Sequence, residues 1–188
     1  MSLPHAILTA LLEKPSSGLE LTRRFDRSIG YFWSATHQQI YRELSRLEAA
    51  EWVRELPGER PARGRRKEYE VLPAGSAELA RWVGERQDPK VIRDPLLLRI
   101  RAAAVVGSAG LETELRRHLE LHRAQAGVYG AFEERDYPAG RGLGEADRLR
   151  RIVLRGGVAL EAFWVSWLEE ALAEVVALRE DGADAARP

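Results

Sequence analysis

The sequence predicts a mainly α-helical protein: an N-terminal winged helix-turn-helix with a two-stranded wing, then an all-α dimerisation domain. Three observations predict it. Three helical patterns open the chain, and two short strand patterns follow them around an arginine-rich turn. The run Gln87-Asp88-Pro89-Lys90 then breaks the pattern. Beyond it lie long helices with more apolar surface than they can bury among themselves.

The first helical pattern places Leu3, Ile7, Leu8, Leu11 and Leu12 at helical spacing, and Lys14-Pro15-Ser16-Ser17-Gly18 ends it with turn residues. A second short helix is expected from Leu19 to about Arg27. After Gly30-Tyr31-Phe32-Trp33, Ser34 can cap a third helix beginning near Ala35. Ile40, Leu44 and Leu47 share one face of it, with Thr36, His37, Gln38, Arg42 and Ser45 turned largely away. Residues Trp52 to Leu56 have strand character, Pro57 to Arg66 read as a loop, and Glu68-Tyr69-Glu70-Val71 alternates like a returning strand. Pro73 can open a further helix with Leu79, Trp82 and Val83 on its buried side.

Past the break, Asp94-Pro95 supplies an N-cap and a proline at the first helical position. The helix they open carries Leu96, Leu97, Leu98 and Ile100. A long helix is expected from about Ser108 to Arg135, with Leu111, Leu115, Leu119, His122 and Ala126 near one stripe. The last runs from about Glu145 to Arg179, roughly 45 Å or more at the helical rise per residue. Its apolar positions, including Ile152, Leu160, Phe163, Trp164, Trp167 and Leu172, outnumber what the neighbouring helices can cover. A second copy is the economical solution, so a homodimer with Leu96 and these residues at its interface is expected. The domains expected are residues 1–87, the winged helix-turn-helix, and 88–180, the helical dimerisation domain, with 181–188 as a disordered tail.

Composition sets the outer bounds. The chain has 188 residues, 45% hydrophobic and 31% charged, enough for two small domains with real cores. No apolar run approaches the ~20 residues that cross a bilayer, and the opening lacks a signal peptide's basic region, so a cytoplasmic protein is expected. The absence of cysteine excludes disulfides, thiolate metal sites and cysteine nucleophiles. Net charge is zero, yet residues 1–93 hold 16 Lys and Arg against 13 Asp and Glu. Five cations, Arg60, Arg63, Arg65, Arg66 and Lys67, follow one another without an acid between them. A local patch of that kind matters more for contacting phosphate than the total does.

These features converge on DNA. A helix entering the major groove needs short polar side chains in its first turn, with donors for base edges and phosphates. Ser34, Thr36, His37, Gln38 and Gln39 meet that need, and Gln38 can pair bidentately with adenine. One turn later Tyr41 and Arg42 can reach phosphate. An ordinary amphipathic helix explains the same pattern taken alone, and the basic hairpin downstream shifts the balance. A flexible tip with several cations can lie along the backbone or in the minor groove.

Other constellations are weaker. His118 and His122 stand at i, i+4, but the sequence is not HExxH and shows no third ligand, so a packed or interfacial pair is the better reading and no metal or cofactor is expected. Gly140, Gly142 and Gly144 lack a preceding strand and read as an interhelical turn. Nothing supports catalysis. Trp33, Trp82, Trp164 and Trp167 can line a pocket for a flat organic ligand, although aromatics at helical spacing more often serve as core or dimer interface.

The chain resembles the PadR-like family of bacterial transcriptional regulators, in its branch with a long helical C-terminal domain. Ser17-Gly18-Leu19-Glu20-Leu21 is similar to the family's second-helix opening, usually Tyr-Gly-Tyr-Glu-Leu. Trp33 to Glu48 (WSATHQQIYRELSRLE) resembles its recognition helix and is the most specific match. Gly64 to Gly75 (GRRKEYEVLPAG) resembles the wing's end, and Arg93-Asp94-Pro95-Leu96-Leu97-Leu98-Arg99 the start of the C-terminal domain. Glu51 stands where the family often has Gly, and Pro73 where it usually has Thr. The resemblance implies a dimer on a palindromic operator in double-stranded DNA, most often a repressor released by a small aromatic or hydrophobic effector. A different class, a winged-helix interaction adaptor without specific DNA binding, is the alternative.

Overall fold

The computed structural model describes residues 2–25, 35–57, 67–89, 91–140 and 142–185, the side chains of 181–185 excepted. The first unit, Met1–Pro89, contains α1 (Leu3–Glu13), β1 (Ser16–Ser17), α2 (Gly18–Arg24), α3 (His37–Ala49), β2 (Val53–Glu55), β3 (Glu68–Val71) and α4 (Pro73–Val83). The second, Lys90–Pro188, contains α5 (Pro95–Val106), α6 (Leu111–Asp136) and α7 (Glu145–Ala185).

In the first unit Ile7, Leu8 and Leu11 of α1, Leu21 of α2, and Ile40, Leu44 and Leu47 of α3 close on one core with Phe25, Val53 and Tyr69. Each aliphatic side chain wholly withdrawn from water there contributes about 1.5–3 kcal/mol. The strands form an antiparallel sheet in the order β1-β3-β2, with Val53 opposite Val71 and Ser16 opposite Tyr69. The expected two-stranded wing is the β2–β3 hairpin, and a third strand is added where a turn was expected: Ser16 and Ser17 pair with β3. Two residues are too short to display a period of two.

Local chemistry sets the ends of α2 and α3. Ser17 and Glu20 form a reciprocal capping box at the start of α2, which begins at Gly18. At α3 the cap is Thr36, not Ser34, and the helix starts at His37 instead of Ala35. Thr36 and Gln39 supply both halves of a capping box, which Ser34, two residues earlier, has no matching Glu or Gln to complete. The other end is a Schellman turn: Trp52 N–H donates to Leu47 O at 2.9 Å and Glu51 N–H to Glu48 O at 3.0 Å. Glu51 takes the left-handed conformation this turn requires, with φ 58°. Pro73 occupies the first turn of α4, where a missing N–H costs nothing. Val83, expected inside, is 75% exposed, and the buried side of α4 is carried by Gly75, Leu79 and Trp82 instead.

In the second unit Asp94 caps α5, its Oδ1 accepting the Leu96 N–H at 2.7 Å. Helices α6 and α7 run antiparallel, a direction fixed by the cross-links Glu112 to Arg179, His122 to Glu161 and Glu133 to Arg151. Leu96, Leu111, Leu115, Leu119 and Leu168 form the core. Leu96, expected at a dimer interface, is only 3% exposed because α5 lays it against its own chain's α6 and α7. The tail expected from Asp181 is helical as far as Ala185, because α7 continues past Arg179. Among the described residues no helix is long and apolar enough to cross a membrane.

Candidate nucleic-acid interface

The outer face of α3 is built by what its inner face buries. With Ile40, Leu44 and Leu47 locked in the core, the 3.6-residue period turns His37, Gln38, Gln39, Tyr41, Arg42 and Ser45 outward, all exposed. Two of the expected base readers are engaged at home. Thr36 Oγ1 accepts the Gln39 N–H at 3.3 Å, and Gln39 Oε1 accepts the Thr36 N–H at 2.8 Å. They frame the helix N-terminus, and His37 and Gln38 are the first-turn side chains without a hydrogen bond among the described residues. Ser45 donates to the Tyr41 carbonyl at 3.2 Å. Arg46 is tied to Glu43 at 3.5 Å, whereas Arg42 has no ion pair among the described residues.

At the foot of the hairpin, Lys67 Nζ lies 2.7 Å from Glu55 Oε2 and Arg54 pairs with Glu70 at 2.6 Å. The Glu55 carboxylate raises the Lys67 pKa, first by its hydrogen bond and then by its charge. Lys67, expected among the free cations of the tip, is thus bound into the stem. Arg60, Arg63, Arg65 and Arg66, and likewise Trp33 and Ser34, lie outside the described residues.

The aromatic side chains expected to line one pocket belong to both units. Trp82 stacks on His5 within the first unit, rings 4.4 Å apart. Trp164 stacks on His122 at 5.3 Å within the second, and Trp167 meets Trp164 edge-on at 5.5 Å. His122 also lies 2.6 Å from the buried Glu161 carboxylate, so this imidazole packs as part of the α6–α7 seam. A groove of about 580 Å³ does run along α6 and α7, but Arg116, Leu119, Arg123, Glu169 and Leu172 line it, not tryptophan.

Comparison with known proteins bears on this arrangement directly. The family model described as the transcriptional regulator PadR-like family matches residues 7–81, and that of the virulence activator alpha C-terminal region matches 92–175. A probable transcriptional regulator of Mycobacterium tuberculosis is 40% identical over 182 residues, covering 90% of this chain and 95% of that protein. The chain belongs to the PadR-like family. PadR-like proteins are transcriptional regulators and not enzymes. The negative transcriptional regulator PadR of Bacillus subtilis is 27% identical over 176 residues, 92% of this chain and 97% of its own. Its structure in complex with operator DNA matches this fold with a TM-score of 0.80 at 26% identity, over 92% of this chain and 97% of that one. Its complex with p-coumaric acid matches at 0.75, also at 26% identity, over 93% and 99%. The virulence activator AphA of Vibrio cholerae matches at 0.78 and 30% identity, over 94% of this chain and 99% of its own.

Within this PadR-like chain, sequence reasoning missed three groups. Gly18 lies under the Tyr41 ring, His5 bridges α1 to Glu78 of α4 at 3.1 Å, and Tyr129 packs on Gly157. Only Gly18 carried a signal in the sequence, as part of the resemblance to the second-helix opening.

Proposed function

We propose that this PadR-like regulator binds a palindromic operator as a homodimer, that it represses, and that a small aromatic or hydrophobic effector releases it. The exposed His37, Gln38, Tyr41 and Arg42, on a helix whose start is fixed by the Thr36–Gln39 box, carry the DNA reading. Gln38 reads a base edge, Tyr41 and Arg42 hold phosphate, and the cations Arg60, Arg63, Arg65 and Arg66 of the wing add sequence-independent affinity. In this reading residues 1–87 are the DNA-binding domain and 88–180 the dimerisation and effector domain of a cytoplasmic protein.

The dimer reading is supported by α7. Leu149, Val153, Leu160 and Phe163 follow one another at spacings of four, seven and three residues and are 48–58% exposed, and Ile152 beside them is 66% exposed. A repeat averaging 3.5 residues is what a helix presents to another helix. Repression and release are supported by the Bacillus subtilis relative, named a negative regulator and solved with both operator DNA and p-coumaric acid. In the second unit His122, Trp164 and Trp167 bring three rings together, the side-chain chemistry that would take such a ligand. The test is fluorescence anisotropy with duplex DNA from upstream of the protein's own gene against a shuffled duplex, at two salt concentrations, followed by addition of a panel of planar aromatic acids. Selective binding reversed by a panel member supports the reading. No binding to either duplex moves the assignment to an interaction adaptor.

A further inference from the structure

Tyr41 leans across the first residue of α2. A Cβ placed on Gly18 would stand 2.5 Å from Tyr41 Cε1 and 2.8 Å from Cζ, well inside van der Waals contact. Gly18 itself is buried and cannot give way. It follows directly on β1, whose Ser16 and Ser17 are paired with Tyr69 and Glu68, and it starts a helix fixed by the Ser17–Glu20 capping box. Tyr41 is the movable partner, 48% exposed on the outer face of α3.

We infer that Gly18 is a positioning residue for DNA binding: its bare Cα is the seat that holds the Tyr41 ring flat against α2 and so aims the phenol hydroxyl at a backbone phosphate. The inference rests on the reading of α3 as the DNA-contacting helix. Any side chain at residue 18 lifts the ring. Because the ring belongs to a surface side chain, it can swing outward and leave the core intact. Gly75 provides the contrast. A Cβ there meets the backbone carbonyl of Trp52, which has no such freedom, so its substitution strikes the fold itself.

A double-mutant cycle tests this. Gly18→Ala, Tyr41→Phe and the double variant are compared by anisotropy on shuffled duplex DNA, where phosphate contacts dominate and no operator need be known. Gly18→Ala and Tyr41→Phe are each expected to weaken binding about tenfold, the scale of one hydrogen bond to a charged acceptor. The double variant is expected to be no weaker than either. A neutral phenol releases no counterion, so the salt dependence should keep its slope in all three. A structural role for Gly18 would move the melting temperature instead, and here circular-dichroism melting should show the fold retained. Multiplicative losses in the double variant, or full affinity in Gly18→Ala, overturn the inference while leaving the DNA reading intact. A wild-type protein that binds no DNA overturns both.

Discussion

The Nδ1 of His122 lies 2.6 Å from Oε2 of Glu161, joining the middle of α6 to α7 at a point where Glu161 is only 8% exposed. Trp164 stacks on the face of the same imidazole. The pair therefore fixes how α6 and α7 meet and where the aromatic cluster stands. His122→Ala strips a buried carboxylate of this partner and should cost about 1–3 kcal/mol in urea unfolding. Replacing both residues by leucine should cost less than His122→Ala alone, since no polar group is then left unsatisfied.

Glu51 predicts a stabilising change. It sits at the left-handed position of the Schellman turn that ends α3, with φ 58°. A side chain there costs about 1 kcal/mol relative to glycine. Glu51→Gly should raise stability by roughly that amount in chemical denaturation, with DNA affinity unchanged. A loss of stability would mean that the Glu51 side chain contributes more than the turn costs.

Glu78 governs part of the acid response. Its hydrogen bond from Arg81, then that with His5, lowers its pKa from the ordinary 4.5 to about 2. A depressed carboxylate stabilises the fold fully above the unfolded value and loses that contribution as pH falls through the folded one. Wild type should therefore exceed Glu78→Gln in melting temperature by a constant margin above pH 4.5, and the margin should close between 4.5 and about 2. A margin that widens as pH falls would contradict this account of Glu78.

Thr36 links the fold to the interface. Thr36→Ala removes the oxygen that accepts the Gln39 N–H, and should cost about 1 kcal/mol of stability. His37→Ala, one residue on and exposed, should leave the melting temperature where it is. Equal losses from the two variants would show that the capping box does not carry the difference.

Much of this arrangement was legible in the residues. The period of Ile40, Leu44 and Leu47 placed α3 and its outer face, and Asp94-Pro95 placed the start of α5. What was not legible depended on partners distant in the chain. Ser16 and Ser17 look like a turn until Tyr69 and Glu68 arrive to pair with them. Leu96 looked like interface because a helix's own pattern cannot say whether the same chain or another covers it. Spacing carries no information about which ring meets which, and Trp82 and Trp164 each stack on a histidine of their own unit.

The central claim is that α3 reads bases through Gln38. The direct measurement is the ratio of affinities for upstream and shuffled duplexes, in wild type and in Gln38→Ala. A bidentate contact to one base discriminates by about 1–3 kcal/mol, so the ratio should fall by roughly fivefold or more while affinity for the shuffled duplex stays unchanged. A ratio that survives Gln38→Ala, or an equal loss on both duplexes, would contradict the claim.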